Sequence, residues 1–457
     1  MTKTYVLDTN VLIQAPYALM CFEDNNITLP VAVLEELDGL KNADGELGAN
    51  ARQAIRYLEQ LRQQGDMTQG IQLPSGGIFK LETNHIHEKL PDGFKDDKND
   101  NRILKVCKGI SSADQDVILV TKDIVVRIKA QLMGIKAEDF TTEQAPETEL
   151  QYTGRAEVFV PEEKFSEFKK KGIEVEHLYK MGENGKKVAV IPVRNQFFVL
   201  RADQSTNKTQ LGRYNGEKIV PLNHRKAAPY GIRPRNAGQY FLQEALMESA
   251  QVAPLVIVKG MAGTAKTFYS LAVGLEKVME LNKKEYRKIM ISRPNAQFDD
   301  EIGFLPGDEQ EKIAPLIRPV IDNLELLIDQ DDNQRYKDER ELTGKIEELF
   351  EREIIVPQAM NFIRGRSITQ TYMIIDEAQN LTPKQAKGII TRVGKGTKVI
   401  LLGDPNQIDH PLLDERTNGL CYASEKMKNS PLCYQITLTA SECERSDLAM
   451  DAITRMN

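Results

Sequence analysis

Apolar and polar positions alternate along this chain with two different rhythms. Near the start, "TYVLDTN" and "DVILVTKD" are short apolar runs that close on carboxylates, the pattern of buried strands. Between them, "NARQAIRYLEQLRQQG" spaces its apolar residues three and four apart, predicting an amphipathic helix closed by Gly65. Strands alternating with helices predict a parallel α/β sheet. The segment "EDFTTEQAPETELQ" is polar, acidic and carries a proline, so it reads as a linker. From about Ala156 to Pro221 the period drops to two, as in "KKVAVIPVRNQFFVLRAD", with turn signals at "GENG" and "YNGEK". A small β-rich domain is expected there. A second α/β region opens at "APYGIRPRNAGQYFLQEALM" and continues through the rest of the sequence. The expectation is an α/β multidomain protein divided at 1–145, 146–228 and 229–457, with no internal repeat. The acidic stretch "IDQDDNQRYKDERELTGKIEELFERE" reads as a solvated helix or insertion.

Composition narrows the picture. A length of 457 residues asks for more than one core, and 41% hydrophobic with 28% charged residues is ordinary for a globular protein. No apolar run approaches the roughly 18 residues of a membrane span, and "MTKTYVLDTN" turns polar too soon for a secretory leader. Five cysteines without paired or ligand-like spacing suggest reduced thiols and a cytoplasmic setting. A net charge of −7 argues against bulk affinity for nucleic acid, although "KFSEFKKKG" and "NHRKAAPYGIRPR" are local basic patches.

Chemistry enters at Gly260-Met261-Ala262-Gly263-Thr264-Ala265-Lys266-Thr267, which lies between an apolar strand, "APLVIVKG", and an amphipathic helix, "KTFYSLAVGLEKVMEL". That context and spacing are those of a phosphate-binding loop. Lys266 is expected on the β/γ oxygens of ATP and Thr267 on Mg²⁺. Two further strands end in polar residues. "TYMIIDEAQN" offers Asp376 to the ion and Glu377 to the attacking water, and "TKVILLGDPNQID" offers Asp404 and Gln407 as sensors of the γ-phosphate. The competing reading makes Asp376 and Glu377 caps of the next helix. Ala265 stands where the loop pattern asks for glycine. A methyl group in the left-handed region costs about 1 kcal/mol or more, a loss of roughly tenfold in affinity.

The first α/β region gathers its own acids. Asp8 and Asp123 follow strands, Asp100 opens a helix, and Glu36 borders the apolar face of "PVAVLEELDGL" while Glu35 points away from it. Four carboxylates at strand ends suit one or two divalent ions, Mg²⁺ or Mn²⁺, and phosphodiester cleavage. Residue by residue, capping explains Asp100 and Asp123 equally well. Asp116 precedes its strand and is less well placed. His85 and His87, in a polar loop without a third ligand, read as surface residues.

Two resemblances sharpen these expectations. The set "GIRPRNAGQ", "GMAGTAKT", "ISRPNAQFDDEIGFLPGD", "IRGRSITQTYMIIDEAQN" and "VILLGDPNQID" resembles the PhoH family of ATPases from roughly Pro229 onward. That resemblance implies a RecA-like core, ATP hydrolysis and a link to RNA metabolism. It places Asn236 and Gln239 at the adenine, Gln407 as sensor, and Arg293, Arg364, Arg366 and Arg445 as candidate charge stabilisers across a subunit interface. "YVLDTNVL", "VLEELDGLK", "NDNRIL" and "LVTKDIVVRIKAQLMGIKA" are similar to the PIN domain, a metal-dependent ribonuclease fold. Carried over, its acidic site is Asp8, Glu36, Asp100 and Asp123, supported by Asn10 or Thr121. The implied partners are single-stranded RNA and further copies of the chain, with a hexameric ring as the family expectation. A nucleotide-regulated RNA-binding protein whose carboxylates are structural, an ATPase that gates the nuclease, and DNA as substrate all stay open.

Overall fold

The structure is a computed structural model that describes residues 2–22, 24–43, 45–73, 76–83, 85, 87–91, 93–94, 98–111, 116–140, 145–146, 148–182, 185–204, 208–280, 284–294, 309–329, 339–360, 368–410 and 413–443. It falls into two compact units, one holding the described residues up to 140 and the other those from 145 onward. The class is mixed α/β with three sheets.

The first unit is built on strands β1 (Thr4–Leu7), β2 (Asn26–Pro30), β3 (Ile71–Gln72), β4 (Ile78–Glu82), β5 (Val117–Val120) and β6 (Lys136–Glu138). Their order is β3-β4-β2-β1-β5-β6, parallel except for the β3–β4 pair. Helices α1 (Thr9–Gln14), α2 (Val31–Leu40), α3 (Gly45–Arg62), α4 (Asn99–Ser111) and α5 (Ile124–Leu132) connect them. Because β1 and β5 are parallel neighbours, the residues just past them, Asp8 and Thr121, are delivered to one edge. One core holds the unit together, including Val6, Leu7, Leu29, Leu37, Leu104 and Leu119, all fully buried.

The second unit carries two sheets. Strands β7 (Arg155–Val160), β8 (Ile173–Glu174), β9 (Tyr179–Met181), β10 (Lys187–Ala189), β11 (Phe197–Ala202), β12 (Thr209–Tyr214) and β13 (Lys218–Pro221) form a sheet ordered β10-β9-β7-β11-β12-β13-β8. The period-two pattern of β11 explains its place. Phe198 and Leu200 face helix α6 (Glu162–Lys171) in one core, while Phe197 and Val199 face the neighbouring α/β layer in another. Phe197 stacks on Phe241 at 4.9 Å. The β-rich segment therefore has its own sheet but shares a hydrophobic core with the α/β region that follows.

That region is an all-parallel sheet of β14 (Leu255–Lys259), β15 (Lys288–Ser292), β16 (Ile355–Pro357), β17 (Thr371–Ile375), β18 (Lys398–Gly403) and β19 (Cys433–Thr437), in the order β16-β15-β17-β18-β14-β19. Its strands are apolar runs buried on both faces, as parallel sheets require. Helices α7 (Ala237–Met247), α8 (Lys266–Met279), α9 (Glu309–Asp329) and α10 (Glu339–Glu351) cover one face together with the β-rich sheet. Helix α10 falls in the acidic stretch expected to be solvated, yet Ile346 and Leu349 are buried in the core. Helix α10 is a charged helix with an apolar inner stripe. No described helix is long and apolar enough to cross a membrane.

The β-rich sheet is fastened to the parallel sheet by polar contacts at the end of β19. Thr437 N–H donates to Thr153 O, Lys259 Nζ donates to Tyr152 O at 2.7 Å, and Arg155 pairs with Glu442 at 2.7 Å. Gly154 takes φ 74°, and a Cβ there would come within 2.0 Å of the Gln435 carbonyl oxygen. Gly154→Ala is therefore expected to destabilise the second unit by about 1–3 kcal/mol through overpacking, with a further 1 or so from the left-handed backbone. Thermal unfolding checks this; an unchanged melting temperature would mean that the junction yields without cost.

Candidate functional sites

The phosphate-loop residues lie where β14 turns into α8. Lys266 is buried, and its Nζ donates to Gly260 O at 2.6 Å and Met261 O at 2.8 Å, so the cation is stored against the loop's own carbonyls. Burial pushes its pKa down, opposed by Asp404, Asp376 and Glu377. Thr267 Oγ1 donates to Asp376 Oδ1 at 3.2 Å. Thr264 is buried, with its hydroxyl on Met261 O at 2.7 Å, while Gly263 takes φ 83°. Ala265 stands in the left-handed region at φ 61°, ψ 24°, directly before the helix. Ala262 O accepts from Cys443 Sγ at 3.5 Å.

Asp376 follows β17 and is half-buried. Burial raises its pKa, Glu377 adds to the rise, and Arg293 and Lys266 oppose it. Glu377 sits at φ 53°, ψ 37°. Its Oε1 accepts from Arg293 at 2.8 Å and its Oε2 from Gln379 at 2.6 Å. Neither carboxylate caps the next helix. Thr382 does so, in a reciprocal capping box with Gln385. Gln379, which the sequence reading passed over, is fully buried and ties the loops after β17 and β18 together. Beyond Glu377 it donates to Gln407 O at 2.7 Å and accepts from Asp404 N–H at 3.1 Å. The signal was a polar residue within "DEAQN" that no solvent-facing role explains.

Asn236 caps α7, accepting from Gln239 N–H at 2.9 Å, and its Nδ2 reaches Glu442 O at 3.4 Å. The Gln239 side chain is buried and accepts from Arg235 N–H. Glu442 is pushed up by burial, but Arg155 and the amides of Thr439 and Gly238 outweigh that and hold it below the ordinary range. Gln407 is exposed just past β18. Arg293 pairs with Glu377 of its own chain. Arg364, Arg366 and Arg445 lie outside the described residues.

At the acidic site, Asp8 caps α1 and gathers donors. Its Oδ1 accepts from Thr9 N–H at 2.6 Å, and its Oδ2 from Asn10 Nδ2 at 2.7 Å and Thr121 Oγ1 at 2.5 Å. Thr9 Oγ1 donates to Glu36 Oε2 at 2.6 Å. Burial lifts Asp8 to about 6, with Asp100 and Glu36 adding to the rise and hydrogen bonds from Thr121 and Thr9 opposing it. Asp100 lies in the first turn of α4, 3.6 Å from Lys129. Asp123 is exposed and caps α5 through Val125 and Val126 N–H. Asp116 lies at the far end of β5, paired with Lys136 at 2.7 Å, and Glu35 pairs with Arg102 at 2.5 Å. His85 is 3.6 Å from Glu82, and His87 is exposed. The donors are hard oxygens, the kind Mg²⁺ or Mn²⁺ takes. Among the described residues, however, no three acidic, histidine or cysteine side chains converge to hold an ion.

Two protein families match this chain. The PhoH-like protein family matches residues 231–457, and the PIN domain matches residues 5–141. Protein PhoH2 of Bacillus subtilis is 37% identical, with 98% of each chain covered. The chain belongs to the PhoH family as a PIN–PhoH fusion. Protein PhoH2 of Thermobispora bispora is 33% identical over 98% of this chain and 95% of its own. Protein PhoH of Escherichia coli K12 is 33% identical over 58% of this chain and 71% of its own. The PhoH match thus contains the nucleotide-type loop with Asp376 and Glu377, and the PIN match contains Asp8, Glu36, Asp100 and Asp123.

Two outcomes follow. Folded Asp8 keeps its proton to about pH 6, against an ordinary 3.8, so its burial contributes stability below about pH 4 that is lost as pH rises through 6. The effect is at most about 3 kcal/mol. Asp8→Asn is expected to melt higher than wild type at pH 8 without divalent ions and to lose that advantage towards pH 4. A lower melting temperature at pH 8 would mean that hydrogen bonds to the carboxylate outweigh its burial. The left-handed backbone at Ala265 is already part of the fold, so the roughly tenfold loss of affinity expected from the sequence does not follow. Ala265→Gly is expected instead to raise stability by up to about 1 kcal/mol, read by thermal unfolding. An unchanged melting temperature would mean that the entropy glycine adds to the unfolded chain offsets the relief.

Proposed function

We propose that this PIN–PhoH fusion couples ATP hydrolysis to movement along, or unwinding of, single-stranded RNA, which its acidic site then cuts. The observation that carries the reading is Thr267 Oγ1 within 3.2 Å of Asp376, beside a buried lysine held on the loop. Lys266 would exchange the loop carbonyls for β/γ-phosphate oxygens. The hydroxyl of Thr267 and the carboxylate of Asp376 fit Mg²⁺, since a half-buried acid beside a second acid gains from a cation. That ion supplies neutralisation of phosphate charge. Glu377 would take the proton of the attacking water, Gln407 would report the γ-phosphate, and Asn236 and Gln239 would face the adenine. In the PIN domain, Asp8, Glu36, Asp100 and Asp123 would have to draw together to hold a divalent ion at the phosphodiester, since no three of them converge among the described residues.

One parallel sheet supplies one nucleotide site, whereas strand-moving motors work with two facing lobes. A neighbouring copy completing the site, in a homo-oligomeric ring with a hexamer as the expected size, meets that need. The open arrangement of acids favours a second reading, in which the ATPase half governs when the nuclease assembles.

The test is steady-state ATP hydrolysis with Mg²⁺, with and without single-stranded RNA, beside RNA cleavage with Mg²⁺ or Mn²⁺. Turnover stimulated by RNA should fall by about a hundredfold or more in Lys266→Ala. Cleavage should disappear in Asp8→Asn. Cleavage that survives that change removes the acidic site from the reaction, and ATP that slows cleavage selects the gating reading.

A further inference from the structure

The Glu377 carboxylate has both oxygens occupied within its own chain. Each oxygen keeps a second lone pair and about 28% of the side chain is exposed, so water reaches the carboxylate, but an ion pair with a guanidinium fixes its orientation and opposes its taking a proton. The arrangement is therefore a restrained one, and the two donors that restrain it differ in kind. Gln379 is fully buried and fixed at both ends of its amide by Asp404 N–H and Gln407 O. Arg293 lies at the outer end of β15, with about 30% of its side chain exposed. It follows Ser292, whose carbonyl accepts from Asp376 N–H, so it stands beside Asp376 and Glu377 at the edge of the sheet that carries the phosphate loop. Of the two donors, Arg293 is the one able to let go.

What would take it must be an anion whose oxygens match a guanidinium fork, which a carboxylate and a phosphate do equally well. Beside Arg293 is a cavity of about 10 Å³ lined by Ile291, Ser292, Val320, Phe350 and Pro357. That is room for one water and none for a base or sugar, so the competing group arrives from the solvent side. The backbone at Glu377 is also in the left-handed region, a conformation held only while its surroundings enforce it.

We propose that Arg293 is a latch that exchanges the Glu377 carboxylate for a phosphate oxygen, releasing Glu377 to act as a base when that phosphate is present. The inference rests on the reading of this site as an ATP hydrolase. The phosphate has two sources: a phosphodiester of a bound strand, or the γ-phosphate of the nucleotide. Arg293 is thus a positioning residue, acting through Glu377.

The experiment measures ATP turnover by the full chain, with and without oligo(U), for wild type, Arg293→Gln and Arg293→Lys. Binding of a fluorescent ADP analogue is followed in parallel. If a strand phosphate releases the latch, Arg293→Gln turns over ATP without RNA about fivefold faster than wild type, the size of a partly exposed ion pair, and RNA no longer stimulates it. If the γ-phosphate releases it, Arg293→Gln has a raised KM for ATP, unchanged ADP binding and intact stimulation. Arg293→Lys falls between wild type and Arg293→Gln in either case, and it decides the matter should Arg293→Gln lose ADP binding through misfolding. Lower turnover in Arg293→Gln, with KM, ADP affinity and stimulation unchanged, overturns the latch alone. No turnover in any of the three proteins, despite ADP binding, overturns the latch and the hydrolase reading together.

Discussion

Two carboxylates side by side at the end of a buried strand repel each other, and where they are half-buried water screens them only in part. Asp376 and Glu377 are such a pair, and much of the second unit's polar architecture offsets their charge. Lys266 approaches from one side and Arg293 from the other, while the amide of Gln379 and the hydroxyl of Thr267 supply neutral donors. These groups come from three segments, the loop after β14, the end of β15 and the turn after β17, and parallel strands bring all three to one edge. The acidic edge of the PIN domain meets the same constraint with fewer cations. There Asp8 keeps its proton to about pH 6 and relies on Thr9, Asn10 and Thr121 as donors.

Much of this was legible in the sequence because it depends on local pattern. Buried strands read as apolar runs, the phosphate loop reads at fixed spacing between a strand and a helix, and the acids at strand ends read from their positions. The α/β multidomain class and both family resemblances come from the same local signals. The left-handed backbone at Ala265 was also foreseeable, since the loop pattern reserves that position for glycine.

What escaped the sequence depends on contacts across long stretches of chain. Gln379 meets Gln407 at a separation of 28 residues, and Arg155 meets Glu442 at 287. Neither pairing leaves a periodic trace. The burial of α10 was hidden by charges that outnumber its inner stripe of Ile346 and Leu349. Cap assignments divided for a simpler reason: carboxylates, hydroxyls and amides all cap helices, so residue type alone does not choose between Asp376 and Thr382. The boundary of the β-rich segment is legible as a change of period, but its shared core with the parallel sheet is not, because both faces of β11 are apolar.

The alanine before Lys266 also bears on how the loop keeps its shape. Its left-handed backbone costs the folded chain about 1 kcal/mol, a strain enforced by the strand before it and the helix after it. Because the fold bears that cost, it is the same whichever anion meets the loop. The position that departs from glycine then acts as a preset spring, narrowing the shapes open to the loop rather than the groups it can hold.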